Sequence, residues 1–220
     1  MEMNLEKLPF WDKLTGNEKT LVKSTAQIRK FATDELIHTC TKQCVGLVYV
    51  LSGNMRLFLL SEEGKEVTLL HIRENNSCVL AASCVLSQIT FHSELIAAEE
   101  TELLIIPAAT LAQIIRDNIY IRCYMYETST RLFSDVMWTI QQILFFSVDK
   151  RLASFLVEES EKSNSSELCI TQENIATEIN TAREVVARML KRFSNDGIIK
   201  LQRGKIIILD KESIEDIAFR

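Results

Sequence analysis

Arg183, Glu184 and Arg188 are the residues of this chain whose types and spacing carry the most specific chemistry. Advancing about 100° per residue from Arg183 puts Ala187, Glu184 and Arg188 at about 40°, 100° and 140°, an arc with no large apolar residue. An arginine gives two parallel hydrogen bonds to guanine O6 and N7, and a glutamate accepts from cytosine N4. The trio therefore suits the base edges of a major groove. A plainer account also fits, because Glu184 and Arg188 are four residues apart, the spacing of an ion pair on a solvated helix surface. The neighbouring elements must decide between the two.

On the same wheel Val185, Val186, Met189, Leu190 and Phe193 fall at about 200° to 340°, so this helix packs by one side and presents the trio on the other. It begins near Thr181 and ends at Asn195-Asp196-Gly197. A shorter helix precedes it, capped by Thr171 and carrying Ile175, Ala176 and Ile179 on one face. Asn180 lies between the two, and Asn is one of the few non-glycine residues that tolerate positive φ in a sharp turn. After the second helix come the apolar runs Ile198 to Leu201 and Ile206 to Leu209 about a turn at Arg203-Gly204, the pattern of a β-hairpin. The residues thus describe a winged helix-turn-helix. Thr171, Gln172, Thr181, Lys191, Arg192 and Arg203 are its candidates for backbone phosphates.

Charge distribution agrees with this reading. The 220-residue chain carries a net −5, yet Thr181 to Lys205 holds seven basic side chains against Glu184 and Asp196, a local +5 that leaves −10 for the remainder. A basic face on an acidic body favours phosphate contact while limiting non-specific association. Hydrophobic residues make up 47% of the chain and there are only two prolines, the composition of a folded protein. No apolar run reaches the roughly 18 residues a membrane span needs, and MEMNLEKLPFWDKL lacks the apolar core of a signal peptide. A cytoplasmic protein without a membrane partner is expected.

The stretch TAREVVARMLKRFSNDGIIKLQRGKIIILD resembles the winged helix-turn-helix of the Crp/Fnr family of bacterial transcription regulators. Arg183, Glu184 and Arg188 match the base-reading residues of the Crp branch, which implies half-sites of the TGTGA type. Asn180 is a departure, since the family usually has glycine there. The rest of the chain extends the resemblance. From Phe31 to Ile106 short apolar runs (Glu35 to His38, Gly46 to Leu51, Met55 to Leu60, Val67 to Ile72, Leu95 to Ala98, Leu103 to Ile106) are separated by turn signals, the pattern of an antiparallel β-roll. VYVLSGNMRLFLLSEEGKEVTLLHI within it is similar to the family's cyclic-nucleotide-binding-type sensor domain. Residues Leu5 to Lys30 read as helical, as do Ala109 to Arg116, and Lys150 to Glu161 forms a further helix that Asp149 caps.

Between Asn118 and Phe146 there is neither proline nor glycine, and two apolar stripes run side by side. One is Met125, Leu132, Val136, Ile140 and Ile143; the other is Phe133, Met137 and Leu144. A helix of about 28 residues is about 42 Å long, and its two faces ask for two partners. The resemblance supplies them: the β-roll for one face and a second copy of the chain for the other, with the first stripe assigned to the dimer interface. The expected fold class is α+β, with a β-roll over residues 1–117, a dimerisation helix over 118–147 and a winged helix-turn-helix over 148–220. Implied partners are double-stranded DNA, a second copy and RNA polymerase.

Two other functions compete with a homodimeric regulator. One is a cysteine-dependent enzyme with Cys78 as nucleophile and His92 as base, for which no cofactor loop or carboxylate pair supplies a reaction class. The other is a ligand-binding module whose helix-turn-helix contacts only protein. The effector is the open point. In relatives that bind cyclic AMP a Gly-Glu pair and an Arg-Ser or Arg-Thr pair hold ribose and phosphate; the aligned residues here are Val79 and Leu80, and Phe91 and His92. Cys78 and Cys84, and Cys40 and Cys44, are sensor candidates, and three accounts of them stay open: buried apolar residues, a redox thiol pair, or ligands of a haem or iron-sulfur group. Apolar side chains cannot offset the desolvation of a phosphate, and one lost charged hydrogen bond costs about 1.5 to 3 kcal/mol. Calorimetric titration with cyclic AMP is expected to show no micromolar binding; heat consistent with a micromolar site would overturn that expectation.

Overall fold

The structure, a computed structural model, describes residues 5–39, 45–79 and 93–219. The chain divides into two compact units, Met1–Gly64 with Leu69–Met137, and Lys65–Thr68 with Trp138–Arg220.

The first unit is built on two four-stranded sheets. Strands β1 (Gln27–Phe31), β3 (Gly46–Ser52), β6 (Ser77–Cys78) and β8 (Thr101–Pro107) form one in the order β1-β8-β3-β6. Strands β2 (Leu36–Thr39), β4 (Asn54–Leu60), β5 (Glu66–Arg73, of which Leu69 onward belongs to this unit) and β7 (Glu94–Ala97) form the other in the order β2-β7-β4-β5. Leu47, Val50, Met55, Leu57, Leu95 and Leu103 fill the core of this unit. The turn between β3 and β4 requires its glycine: Gly53 has φ +89°, and a Cβ there would stand 2.6 Å from the Glu100 carbonyl oxygen. Beside it the buried Thr101 hydroxyl accepts from Asn54 N and lies within hydrogen-bond distance of the Asn54 and Glu99 carbonyls, which locks the hairpin to β8.

Several expectations are corrected here. The N-terminal segment is no single helix over Leu5 to Lys30: two 3-10 turns, Leu5–Lys7 and Trp11–Lys13, lead into α1 (Gly16–Thr25), and Ile28 lies in β1. Thr15 and Glu18 form a capping box that starts α1 afresh, a local signal stronger than the sparse apolar spacing. Strands β1 and β6 were not expected, nor were β9 (Glu167–Leu168) and α7 (Lys211–Phe219). Short strands such as Ser77–Cys78 exist only through their pairing, here Val48 with Cys78 and Tyr49 with Ser77.

After α2 (Ala108–Asp117) runs the 27-residue helix α3 (Ile119–Phe145). Asn118 starts it. Its Oδ1 accepts from Tyr120 N and Ile121 N, while its Nδ2 donates to the Lys13 carbonyl and to Glu18 Oε2, so one buried amide joins three segments. Ile121, Met125, Thr128 and Leu132 are buried, with Val136 packed against the same core. Met125 is 0% exposed and Leu132 6%, so these two face their own β-roll and not a partner. That corrects their assignment to the dimer interface, and apolar spacing could not have decided which stripe turned inward. On another face Ile119, Tyr126, Phe133, Met137, Ile140 and Leu144 are exposed, Phe133 at 64% and Leu144 at 68%.

The second unit contains α4 (Val148–Ser163), β9, α5 (Gln172–Glu178), α6 (Arg183–Asn195), β10 (Ile199–Gln202), β11 (Lys205–Ile208) and α7. Its three-stranded antiparallel sheet has the order β10-β11-β9. Leu152, Leu156, Ile175, Val186, Leu190, Phe193, Ile199, Ile206 and Ile214 form its core. Helix α4 starts at Val148 with Ser147 as N-cap, so Asp149 is a first-turn residue and not the cap expected of it. Its carboxyl is held below the usual range by a hydrogen bond with Ser147, which outweighs burial.

Asn118 satisfies four polar groups at once, two of them the otherwise unpaired amides at the start of α3. Asn118→Ala should therefore lower the unfolding free energy by about 1 to 3 kcal/mol, read from the urea midpoint at unchanged m-value.

Candidate nucleic-acid interface

The exposed arc of α6 is set by how its two ends are held. Helix α5 begins at Thr171, whose hydroxyl accepts from Asn174 N at 3.1 Å. It ends in a Schellman motif: Asn180 takes the left-handed conformation with φ +52°, Thr181 N donates back to the Ala176 carbonyl at 2.9 Å, and Asn180 N to Thr177 O at 3.4 Å. The expected positive φ at Asn180 is present, and it turns the chain into α6 within three residues. Helix α6 closes the same way, with Gly197 at φ +76°, Ile198 N bonded to Phe193 O and Gly197 N to Ser194 O. The chain then enters β10 directly.

Val186, Leu190 and Phe193 hold α6 in the core, with Val185 and Met189 half-buried beside them. Arg183, Glu184 and Arg188 are exposed on the opposite arc. Among the described residues Glu184 and Arg188 form no ion pair, so their spacing of four is not used as a surface salt bridge. Arg183 instead has Nε 3.7 Å from Glu173 Oε2 on α5, with both side chains largely exposed. Such a pair contributes about 0 to 1 kcal/mol and yields readily to a stronger partner.

The phosphate candidates lie on α5, the turn, α6 and the hairpin that follows. Thr171 is exposed and Gln172 half-buried at the start of α5, and Thr181 is half-buried in the turn. Lys191 and Arg192 are exposed on α6; Arg192 lies 3.8 Å from Asp196 one turn on. Arg203 is exposed at the tip of the β10–β11 hairpin, and Lys205 at the start of β11 pairs with Glu167. All of these belong to one unit. Sequence reasoning gave Arg151 no role, yet its guanidinium donates to the Ile179 carbonyl at 2.6 Å and to Asn180 O at 3.4 Å, the two carbonyls of the turn. Nothing in the local sequence signals this, because the partners are 28 and 29 residues away.

The sensor candidates are elsewhere in the chain. Cys78 on β6 is buried, and so is Val79 after it. Cys40, Cys44, Cys84, Leu80, Phe91 and His92 lie outside the described residues. His38 is buried with Nδ1 unpaired, and burial holds its pKa below the ordinary value. Among the described residues no three His, Cys, Asp or Glu side chains gather as a metal site requires. No described helix is long and apolar enough to cross a membrane.

Comparison with known proteins follows the same division. Residues 28–118 match the cyclic nucleotide-binding domain family and residues 150–217 the Crp-like helix-turn-helix domain family. The cyclic AMP receptor protein of Thermus thermophilus is 23% identical over 211 residues, covering 96% of this chain and 97% of that protein. The solved structure of the c-di-GMP responsive global regulator CLP of Xanthomonas campestris superposes with a TM-score of 0.71 at 16% identity, over 88% of this chain and 99% of that one. This second likeness shows the fold alone. A third protein, from Eubacterium rectale and assigned to the Crp/Fnr transcriptional regulators, is 39% identical over 97% of this chain and 99% of its own, with a TM-score of 0.91. Family and fold are those of transcription regulators and not of enzymes, and with identity at that level across the full length, the chain belongs to the Crp/Fnr family.

Proposed function

We propose that this protein is a homodimeric, sequence-specific DNA-binding regulator in which Arg183, Glu184 and Arg188 read base edges and Thr171, Gln172, Thr181, Lys191, Arg192 and Arg203 engage phosphates. The observation that carries the reading is the exposed arc of α6, where Glu184 and Arg188 stand without an ion pair while the other face is buried. A surface pair kept for solubility would be closed, whereas groups that meet bases must be available to them. Residues 148–220 form the DNA-binding domain, residues 1–117 the sensor and residues 118–147 the dimerisation helix. The regulator works in the cytoplasm, with RNA polymerase as a further partner. Its signal is an effector or a redox change other than cyclic AMP, with Cys78, Cys84, Cys40 and Cys44 as the candidates to sense it.

The dimer face of α3 is the outward one. Ile119, Cys123, Tyr126, Thr130, Phe133, Met137, Ile140 and Leu144 recur at alternating steps of four and three, a heptad seam over nearly the whole helix. Met125 and Leu132 belong to the core, Val136 packs against it, and Ile140 and Ile143 of the first stripe stay with the partner side. Seven-residue periodicity on an exposed apolar face suits a second copy of the same helix across a two-fold axis, and a two-fold dimer of a helix-turn-helix reads a near-palindromic site with half-site centres about 34 Å apart.

Two experiments test this reading. In a selection from random duplexes the wild type should enrich half-sites of TGTGA type, and Arg188→Ala should cost about 1 to 3 kcal/mol and relax choice at one G·C pair. Lys191→Ala or Arg192→Ala should weaken all sequences alike and reduce the salt slope by about 1 each. Enrichment of an A·T-only half-site would sink the guanine assignment. For the dimer, Met137→Asp or Ile140→Asp should shift sedimentation to the monomer and abolish the gel shift, because each puts like charges face to face; unchanged sedimentation would exclude this seam.

A further inference from the structure

Arg151 is placed where a charge is hard to keep. It lies in the first turn of its own helix α4, whose N-terminal end repels a cation, and it is half-buried. Its Nε is buried without a hydrogen-bond partner, no carboxylate pairs with it among the described residues, and burial depresses its pKa. What offsets this is the end of α5, where the last carbonyls of a helix have no partner inside the helix and carry its negative pole. The Schellman motif uses the Ala176 and Thr177 carbonyls, and the guanidinium takes two that lie beyond the last helical residue, Ile179 O and Asn180 O. The Nη1 atom of a rigid guanidinium reaches both, whereas a flexible ammonium would hold either without fixing the angle between them.

We propose that Arg151 is a positioning residue for DNA reading: from α4 it fixes the turn between α5 and α6, and thereby the angle at which Arg183, Glu184 and Arg188 meet the bases. It rests on the functional reading above, and adds that sequence discrimination depends on a residue that touches no DNA. Direct base readout tolerates little misplacement, because a bidentate pair needs both bonds aligned, whereas phosphate attraction tolerates more. Loosening the turn therefore weakens specific binding far more than non-specific binding.

The test uses the full-length protein and fluorescence anisotropy on the selected site and on a random duplex, with thermal melts alongside, for wild type, Arg151→Met and Arg151→Lys. Arg151→Met is expected to lose about 10- to 100-fold on the specific site, the range of one or two hydrogen bonds to a charged group, with non-specific affinity and salt slope unchanged. Arg151→Lys should recover part of the specific-to-non-specific ratio. A wild-type ratio in Arg151→Met overturns the proposal, and so does a parallel fall of both affinities. If Arg151→Met does not fold, Arg151→Lys decides, a reduced ratio supporting the proposal and a wild-type ratio overturning it. Failure of the wild type to bind any duplex would overturn the functional reading and this proposal together, a result separate from those in which only the variants misbehave.

Discussion

Helix α6 has to be held and to remain available at once, and the second unit is arranged around that constraint. With 3.6 residues per turn, thirteen residues give an apolar stripe on one side and leave the other free. Val186, Leu190 and Phe193 supply the holding, each buried large side chain contributing about 1.5 to 3 kcal/mol. That fixes the helix axis but not its ends. Two Schellman motifs, at Asn180 and at Gly197, bracket it, so the chain enters and leaves the helix through residues in the left-handed conformation. An arc of three polar side chains on such a helix has a defined direction, which flexible loops of the same composition would lack.

The long helix solves a different problem. Its residues at Ile121, Met125, Thr128 and Leu132 share a core with the sheets of the first unit, and a second set at seven-residue spacing faces away. Both sets are mainly apolar, but only the first is buried. The buried Asn118 amide adds a fixed starting point, bonding to the 3-10 turn at Lys13 and to Glu18 of α1. The Glu18 carboxyl also accepts from Thr15 N; burial works against its charge, and the hydrogen bonds from Thr15 and Asn118 outweigh it, so its pKa lies below the usual range. Stability from these bonds is present above the unfolded-state pKa and is lost as pH falls through the lowered folded-state value.

Much was already legible along the chain. The periodicity of Val186, Leu190 and Phe193, the cap at Thr171 and the turn at Asn180 are local facts, encoded within one or two helical turns, and they locate α5 and α6 before any contact is known. The alternating runs with their Gly53 and Gly64 turns likewise identify most of the roll. Elements that exist through partners were not legible: β6 and β9 have two residues each, β1 (QIRKF) is mostly exposed and does not alternate cleanly, and all three are defined by pairing with β3, β11 and β8. Helix α1 shows the opposite failure, in which a capping box overrode a loosely apolar pattern.

Sequence by itself determined that the chain has a one-sided helix bearing Arg183, Glu184 and Arg188, and a long helix with two apolar stripes, because both follow from spacing on a cylinder. Tertiary structure alone decided which stripe is inside. Met125 and Leu132 have the same chemistry as Met137 and Leu144, and only the position of the sheets distinguishes a core residue from an exposed one. It also decided that Glu184 and Arg188 stay apart although their spacing permits a bond, and that Arg151 reaches across from α4 to the turn of another helix pair. Contacts over 28 residues depend on the packing of whole elements, and no local pattern of residue types carries that information.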